Sequence, residues 1–380
     1  MRIGFDGKRA VQNLTGLGNY SRYIADILCR FYPENEYILY APKKRDNKRL
    51  DALVEKYRQL HLAYPSTFCW KKLSSLWRIS GITRQLENEE VGIFHGLSNE
   101  LPLNIRKSHI KSIVSIHDLI FLRYPQYYHL IDRKIYAYKF RKACENADKI
   151  IAISECTKRD IIEFFHIPAN KIEVVYQGCD PVFERSVSNE KKEEVRSKYQ
   201  LPTKYILNVG SIEERKNALL LVHALPQLPQ DIHLVIVGRR TPYTEKIERF
   251  ASEHNLTSRV HIMHNVPFGD LPAIYQLAEI FAYPSYFEGF GIPIIEALHS
   301  GIPVVAATGS CLEEAGGPNS IYVNPDSVDE ASRAFNEILS KPEKKKLMIE
   351  KGKEFIKQFS EEKQAAQIID IYNNINNRYE

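Results

Sequence analysis

The chain has 380 residues, too many for one ordinary hydrophobic core and enough for two. With 44% hydrophobic, 26% charged and 11% aromatic residues it falls outside the disordered, fibrous and low-complexity classes, and no apolar run approaches the roughly 20 residues that cross a bilayer. The net charge of +5 is unevenly spread: residues 1–180 hold 29 Lys+Arg against 20 Asp+Glu (+9), leaving 23 against 27 (−4) for residues 181–380.

The opening MRIGFDGKRAVQNLTG lacks the apolar core of a secretory signal, so a cytoplasmic location is expected. From there, short apolar strands alternate with helical stretches: RIGFDG, a helix near 18–31, YILYA, then VGIFHG, KSIVSIHD and KIIAIS. This alternation predicts a parallel sheet covered by helices. Residues 70–85, WKKLSSLWRISGITRQ, set Trp70, Leu73 and Trp77 near one helical face beside Lys71, Lys72 and Arg78. An ordinary packed helix and a peripheral contact with an anionic membrane both fit that pattern. Nucleic acid is not expected, because no recognition fold accompanies the charge.

After a charged segment expected as a linker near 181–195, the same grammar restarts: KYILNVG, a helix from about 217, HLVIVG, RVHIMHNV, EIFAYPS and IPVVAA. The prediction is α/β throughout, with a first Rossmann-like domain over 1–185 and a second over 186–360. A last helix at 361–380 has apolar positions at helical spacing but no strand to follow, and is expected to pack back on the first domain. Two such doubly wound sheets would face a central cleft, because open parallel sheets bind ligands outside the carboxyl ends of their strands.

The six cysteines are never closer than twelve positions apart, which offers neither a zinc ligand pair nor a redox dithiol. No Asp-x-Asp triplet occurs, so no carboxylate pair is marked for a divalent ion, and neither metal nor cofactor is expected. GLGNYS fails as a dinucleotide fingerprint: its third glycine position is Ser21, and no acidic residue closes YILYA.

Chemistry concentrates where strands end. GSIEERKN (210–217) places Gly210 and then the adjacent cations Arg215 and Lys216 before a helix, a pattern that suits a diphosphate, although a solvated basic pair beside Glu213 and Glu214 reads the same way. EGFGIP (288–293) offers a second helix start, with glycines that let a ligand approach the backbone and Pro293 near the first turn. Glu288 and Glu296 stand eight positions apart, about 12 Å if helical. That is long for the 5 to 9.5 Å of a glycosidase pair, so they read as two separate hydroxyl binders, one for a ribose and one for a sugar. For Glu296 alone, a favourable carboxylate in a first helical turn is the plain alternative.

Two glutamates flanking seven residues, E-GFGIPII-E, together with GSIEERKN, SIHD, TGLGNY and VYQGCDPVF in this order, resemble the retaining glycosyltransferases of family 4, which have the two-domain GT-B fold. The resemblance spans nearly the whole chain. It implies transfer of a hexose, mannose first, from a nucleoside diphosphate sugar to a glycan or lipid-linked acceptor in surface polysaccharide synthesis, without a metal. By the same resemblance, Glu296 would bind the ribose, Glu288 the transferred hexose, and Arg215 and Lys216 the diphosphate. Phe290, Gly291 and Ile292 would offer backbone N–H groups, and Arg239 and Val266, in HNVP, would face the base. Gly16 and Gly18 would border the phosphates and the acceptor, and His117 would stand beside the donor sugar as a catalytic residue with Arg215, Lys216 and Glu288. His95 and Asp118 are weaker candidates for the acceptor side; a histidine after a strand is often a satisfied structural residue, and Asp118 could simply cap a turn. A nucleotide-sugar epimerase, a non-catalytic sugar-nucleotide sensor and a glycoside hydrolase remain as rivals.

Overall fold

The structure, a computed structural model, describes residues 1–13 and 16–376. It divides into two compact units, residues 1–177 with 359–380 and residues 178–358.

The first unit holds seven strands: β1 (Arg2–Asp6), β2 (Glu36–Tyr40), β3 (Leu60–Ala63), β4 (Ile93–Gly96), β5 (Lys111–Ile116), β6 (Lys149–Ala152) and β7 (Ile172–Val174). They pair in parallel in the order β3-β2-β1-β4-β5-β6-β7. Alternate residues go to opposite faces. Ile113 and Ile151 join one buried cluster, while Val114, Ile116, Ile150 and Ala152 join the other. Both faces are covered, which is why these strands read as continuous apolar runs.

The helix Glu361–Asn376 closes the first of these cores with Ile368, Ile369 and Tyr372, and packs on the helix Gly16–Phe31. The Tyr23 hydroxyl donates to Gln364, and Arg30 pairs with Glu361.

Residues 70–85 do not form one amphipathic helix. They break into the ends and pieces of Phe68–Lys72, Ser74–Leu76, a π-helical turn Trp77–Gly81 and Ile82–Asn88. A π turn widens the helical repeat and shifts the register that the sequence pattern assumed. Trp77 is therefore buried, with its indole N–H on Gln85, and Arg78 is drawn inward onto Asp6 and Glu100. Neither is available to a membrane surface, which corrects the expected contact face.

The second unit carries β8 (Tyr205–Val209), β9 (His233–Val237), β10 (Val260–Met263), β11 (Ile280–Tyr283), β12 (Val304–Ala307) and β13 (Ile321–Val323), all parallel, in the order β10-β9-β8-β11-β12-β13. In each unit the chain order reverses beside the first strand, between β1 and β4 and between β8 and β11. Loops leaving those two strands in opposite directions open a crevice at their carboxyl ends.

Candidate active site

In the second unit that crevice is lined by the loops after β8 and β11. Gly210 follows β8 with φ of +150°, a conformation that side-chain-bearing residues rarely adopt. A Cβ there would meet Lys216 Nζ at 3.1 Å. Its neighbour Gly238, after β9, is required for a different reason: a Cβ would stand 1.8 Å from the Gly210 carbonyl oxygen. The loop then makes one 3-10 turn, Glu214–Lys216, and passes through Asn217 at φ 54° into the helix Ala218–Ala224.

The loop after β11 is tied to it. The Tyr286 N–H donates to the Arg215 carbonyl at 2.9 Å, and Arg215 donates to the Phe287 carbonyl. Gly291, at φ 127°, turns the chain into the helix Ile292–His299, with Pro293 in its first turn. Cys311, wholly buried, lies 2.9 Å from the Glu288 carbonyl oxygen and 3.0 Å from that of Phe290. The first N–H groups of that helix have no acceptor within it.

These two loops gather Arg215, Lys216 and Glu288. Glu288 Oε1 sits 3.0 Å from Arg215 Nη1 and 3.4 Å from Lys216 Nζ, and accepts from the hydroxyls of Ser285 (2.9 Å) and Tyr283 (3.1 Å). Lys216 also donates to Tyr283 at 2.9 Å. All three charged side chains are only 13–15% exposed. Burial pushes the Glu288 carboxyl up, but Lys216 and Arg215 outweigh it and hold it down at about 2. Burial likewise opposes the charge on Lys216, and Glu288 more than compensates. Glu213, 41% exposed, adds a weaker contact 3.9 Å from Arg215 Nη2, so the buried groups by themselves, two cations and one carboxylate, leave one positive charge, an arrangement suited to an anion.

Glu296 has other surroundings. It lies in the second turn of Ile292–His299, so the first-turn account of this residue does not hold. Its Oε2 accepts from the buried Tyr275 hydroxyl at 2.7 Å. Burial raises the carboxyl to about 7, the Tyr275 hydrogen bond opposes this in part, and Asp180 adds to it. Asp180 belongs to VYQGCDPVF, whose Phe183 meets the Tyr275 ring edge-on at 5.3 Å. Tyr275, Tyr283, Ser285 and Asp180 were not singled out in the sequence; only the position of AYPS directly after β11 could have marked Tyr283 and Ser285.

Arg239 and Val266 stand in the loops after β9 and β10, at the same end of the sheet. The Ile212 N–H donates to the Arg239 carbonyl, the Arg239 side chain is exposed, and His264 Nδ1 donates to the Gly238 carbonyl at 2.6 Å. Phe290 is buried, so only its backbone is open to a role.

The remaining expected residues belong to the first unit. Gly16 opens the helix Gly16–Phe31 with open space around its Cβ position, and a Cβ on Gly18 would lie 1.9 Å from the Asn13 carbonyl oxygen, so that glycine is needed for close packing. Thr15, at the start of TGLGNY, lies outside the described residues. His117 is nearly buried, with Nε2 2.9 Å from the Leu97 carbonyl, Nδ1 3.3 Å from Gln177 Nε2, and its ring edge-on to Tyr20 at 4.5 Å. Burial pushes its pKa down to about 4. Both ring nitrogens of the neutral imidazole are thus engaged within the first unit. His95 is wholly buried, bonded to Tyr372 (2.7 Å) and Ser115 (2.9 Å), and burial lowers its pKa to about 3. It sits in the core of the first unit, because β4 runs between two covered layers. Asp118 accepts from the Ile120 N–H at 3.1 Å, as a turn cap does. Among the described residues no three His, Cys, Asp or Glu side chains gather as a metal site.

The model of Glycosyltransferase Family 4 matches residues 16–183, and that of Glycosyl transferases group 1 matches residues 190–355. The chain is 28% identical to the O-antigen chain mannosyltransferase B of Escherichia coli over 86% of its own length and 81% of that protein's. It is 29% identical to the serotype-specific mannosyltransferase WbdA of Escherichia coli over 66% of its length, spanning about a third (32%) of that longer protein. In fold it is similar to Anabaena Alr3699/HepE, solved with UDP and glucose, at a TM-score of 0.76 and 18% identity, over 98% of this chain and all of that one.

Proposed function

The chain belongs to the family 4 glycosyltransferases, and on that premise we propose that it moves a hexose from a nucleoside diphosphate sugar to a glycan or lipid-linked acceptor hydroxyl with retention of configuration, in the synthesis of a surface polysaccharide. The observation that carries this reading is the buried surplus of positive charge formed by Arg215, Lys216 and Glu288 at the switch point of the second sheet. A diphosphate supplies the missing negative charge. The helix start at Ile292 adds the positive end of its dipole.

In this scheme Arg215 and Lys216 neutralise the β-phosphate as the bond from the anomeric carbon to its oxygen breaks. The acceptor oxygen forms its bond on the same face, and its proton passes to the departing phosphate oxygen. No protein nucleophile is needed, and the two cations do what a divalent ion does elsewhere, so no metal is required. Glu288, ionised throughout, accepts from hexose hydroxyls, and Glu296 from the ribose. Mannose is the first choice of sugar because the E. coli relatives are named mannosyltransferases, with UDP-hexoses next because the Anabaena structure holds UDP and glucose.

One observation favours a second reading. Two carboxyls held at about 2 and about 7 have the division of labour of a retaining glycosidase, one ionised and one protonated. Against it, a neutral glycan gives the buried cations nothing to neutralise. Incubating the protein with a panel of nucleoside diphosphate sugars, with and without acceptor, and analysing the products separates the readings. Transfer that depends on acceptor supports the proposal; an altered donor sugar points to epimerisation, binding without turnover to a sensor, and cleavage of oligosaccharide without nucleotide to hydrolysis.

A further inference from the structure

Two buried tyrosines of the second unit each end on one of the two site carboxylates. The Tyr275 hydroxyl donates to Glu296 Oε2 at 2.7 Å, and the Tyr283 hydroxyl donates to Glu288 Oε1 at 3.1 Å. Tyr283 also accepts from Lys216 at 2.9 Å, so its hydroxyl is used in both senses. A phenylalanine would fill either position without the cost of desolvating a hydroxyl, and that cost is offset here only through these bonds.

The two rings belong to one stack. Phe281, wholly buried, packs on both: its centroid is 5.4 Å from that of Tyr275, with the planes at 28°, and 5.8 Å from that of Tyr283, with the planes at 20°. Phe281 and Tyr283 share one face of β11 because alternate strand residues do, whereas Ile280 and Ala282 enter the core on the other face. Tyr275 comes from the helix Leu271–Gln276, which precedes that strand.

Glu288 stands on a loop and Glu296 on the helix Ile292–His299, so the local backbone of neither fixes the distance between them. Glutamate side chains are long and lose much rotamer freedom when ordered, whereas a ring in a packed core has few torsions and neighbours that lock them. The stack therefore fixes the two hydroxyls relative to one another, and the hydroxyls fix Glu288 Oε1 and Glu296 Oε2. Among the described residues Glu296 Oε1 has no partner, so Tyr275 also decides which oxygen of that carboxyl faces a ligand. Side chains that bind substrate need this kind of support from packed neighbours to hold their geometry.

We propose that the ring stack of Tyr275, Phe281 and Tyr283 is the positioning element that holds Glu296 and Glu288 at the separation at which one nucleoside diphosphate hexose meets both, with Phe281 acting through the two tyrosines. This role rests on the reading of Glu296 as the ribose binder and Glu288 as the hexose binder. It makes the preference for a ribose and the preference for a hexose depend on a single buried side chain that belongs to neither subsite.

The test is calorimetric titration of the full chain, below its melting temperature, with GDP, 2′,3′-dideoxy-GDP, GDP-mannose and the methyl ester of GDP, which keeps the charge of a sugar nucleotide and lacks the hexose; the uridine and glucose counterparts form a second set. The preference for the diphosphate over its dideoxy analogue reports Glu296, and the preference for the sugar nucleotide over the methyl ester reports Glu288. Tyr275→Phe, which keeps the ring, should lower the first preference about ten-fold, the size of a hydrogen bond to a charged group, and Tyr283→Phe should lower the second by a similar factor. Phe281→Leu removes neither hydroxyl and neither carboxylate, and should lower both preferences together. Ile280→Val, on the opposite face of β11, is the control: a lower melting temperature with both preferences kept. A parent protein that shows neither preference with either set would overturn the reading of the two carboxylates, and this role with it. A parent that shows both, while Phe281→Leu keeps them, would overturn the stack's role and leave that reading standing. Should Phe281→Leu fail to fold, the two tyrosine variants decide in the same way, since they keep every ring.

Discussion

Arg215 Nη1 and Glu288 Oε1 are 3.0 Å apart, each only 13% exposed, and Lys216 shares the same carboxylate oxygen at 3.4 Å. Removing either cation takes an ion-pair partner from the buried Glu288, so catalysis and stability are linked at this point. Arg215→Ala is expected to lower turnover about 10²–10³-fold, or about 2–4 kcal/mol of barrier. It should also lower the melting temperature, because Glu288 keeps one cation only. Adding Glu288→Gln to Arg215→Ala should lower the melting temperature further, because Lys216 is then buried without a counter-charge, and should restore none of the activity. Steady-state kinetics with thermal melts of the three variants check this; full activity in Arg215→Ala would refute the assignment.

Glu296 gives a pH dependence of opposite sense to that of an ion-paired carboxylate. Its folded pKa of about 7 lies above its unfolded value, so between about 4.5 and 7 the native state holds a proton that the unfolded chain has released. Stability therefore falls as pH rises through that window and is flat above it, by an amount on the order of 2–3 kcal/mol. Glu296→Gln should flatten the profile and be more stable than the parent at pH 8. Urea titrations from pH 5 to 8 measure this; parallel profiles for the two proteins would contradict it.

How these carboxylates would differ was not legible in the sequence. Their spacing and the flanking glycines pointed to one region, and GSIEERKN pointed to an anion, because strand ends and helix starts are marked by local residue patterns. The separate pKa values come from Lys216 and Arg215, brought beside Glu288 by another loop, and from the burial of Glu296, which only tertiary packing creates. The central strands were readable as apolar runs. β3, β7 and β13 were not, since each is a sheet-edge strand of three or four residues with little apolar length. The surroundings of His95 and His117 were hidden for a related reason: a histidine at a strand end looks alike whether its nitrogens meet solvent or, as here, Tyr372, Ser115 and Leu97.

Gly238 and Gly210 make a packing prediction. A Cβ on Gly238 has no room beside the Gly210 carbonyl, so Gly238→Ala must push the cation loop away from β9. We expect a loss of about 2–4 kcal/mol in stability, with a weaker affinity for nucleoside diphosphates in whatever protein remains folded. Gly16→Ala, where the added methyl meets open space, serves as the control in denaturant titrations.

If Arg215 and Lys216 take the place of a divalent ion, chelation should leave transfer unchanged. Activity in excess EDTA within about two-fold of that with added Mg²⁺ or Mn²⁺ is the expected result, a difference of less than ~0.5 kcal/mol in barrier. A requirement for either ion would show that the cations do not suffice.

The central claim is that a diphosphate binds at the shielded positive charge after β8. Calorimetric titration of the protein with GDP and UDP, the matching monophosphates and the nucleosides tests it most directly. The account predicts that one diphosphate binds at least ten-fold more tightly than its monophosphate and that Arg215→Ala removes the difference. A nucleoside that binds as well as its diphosphate, or an Arg215→Ala protein with the parent's affinity, would contradict it.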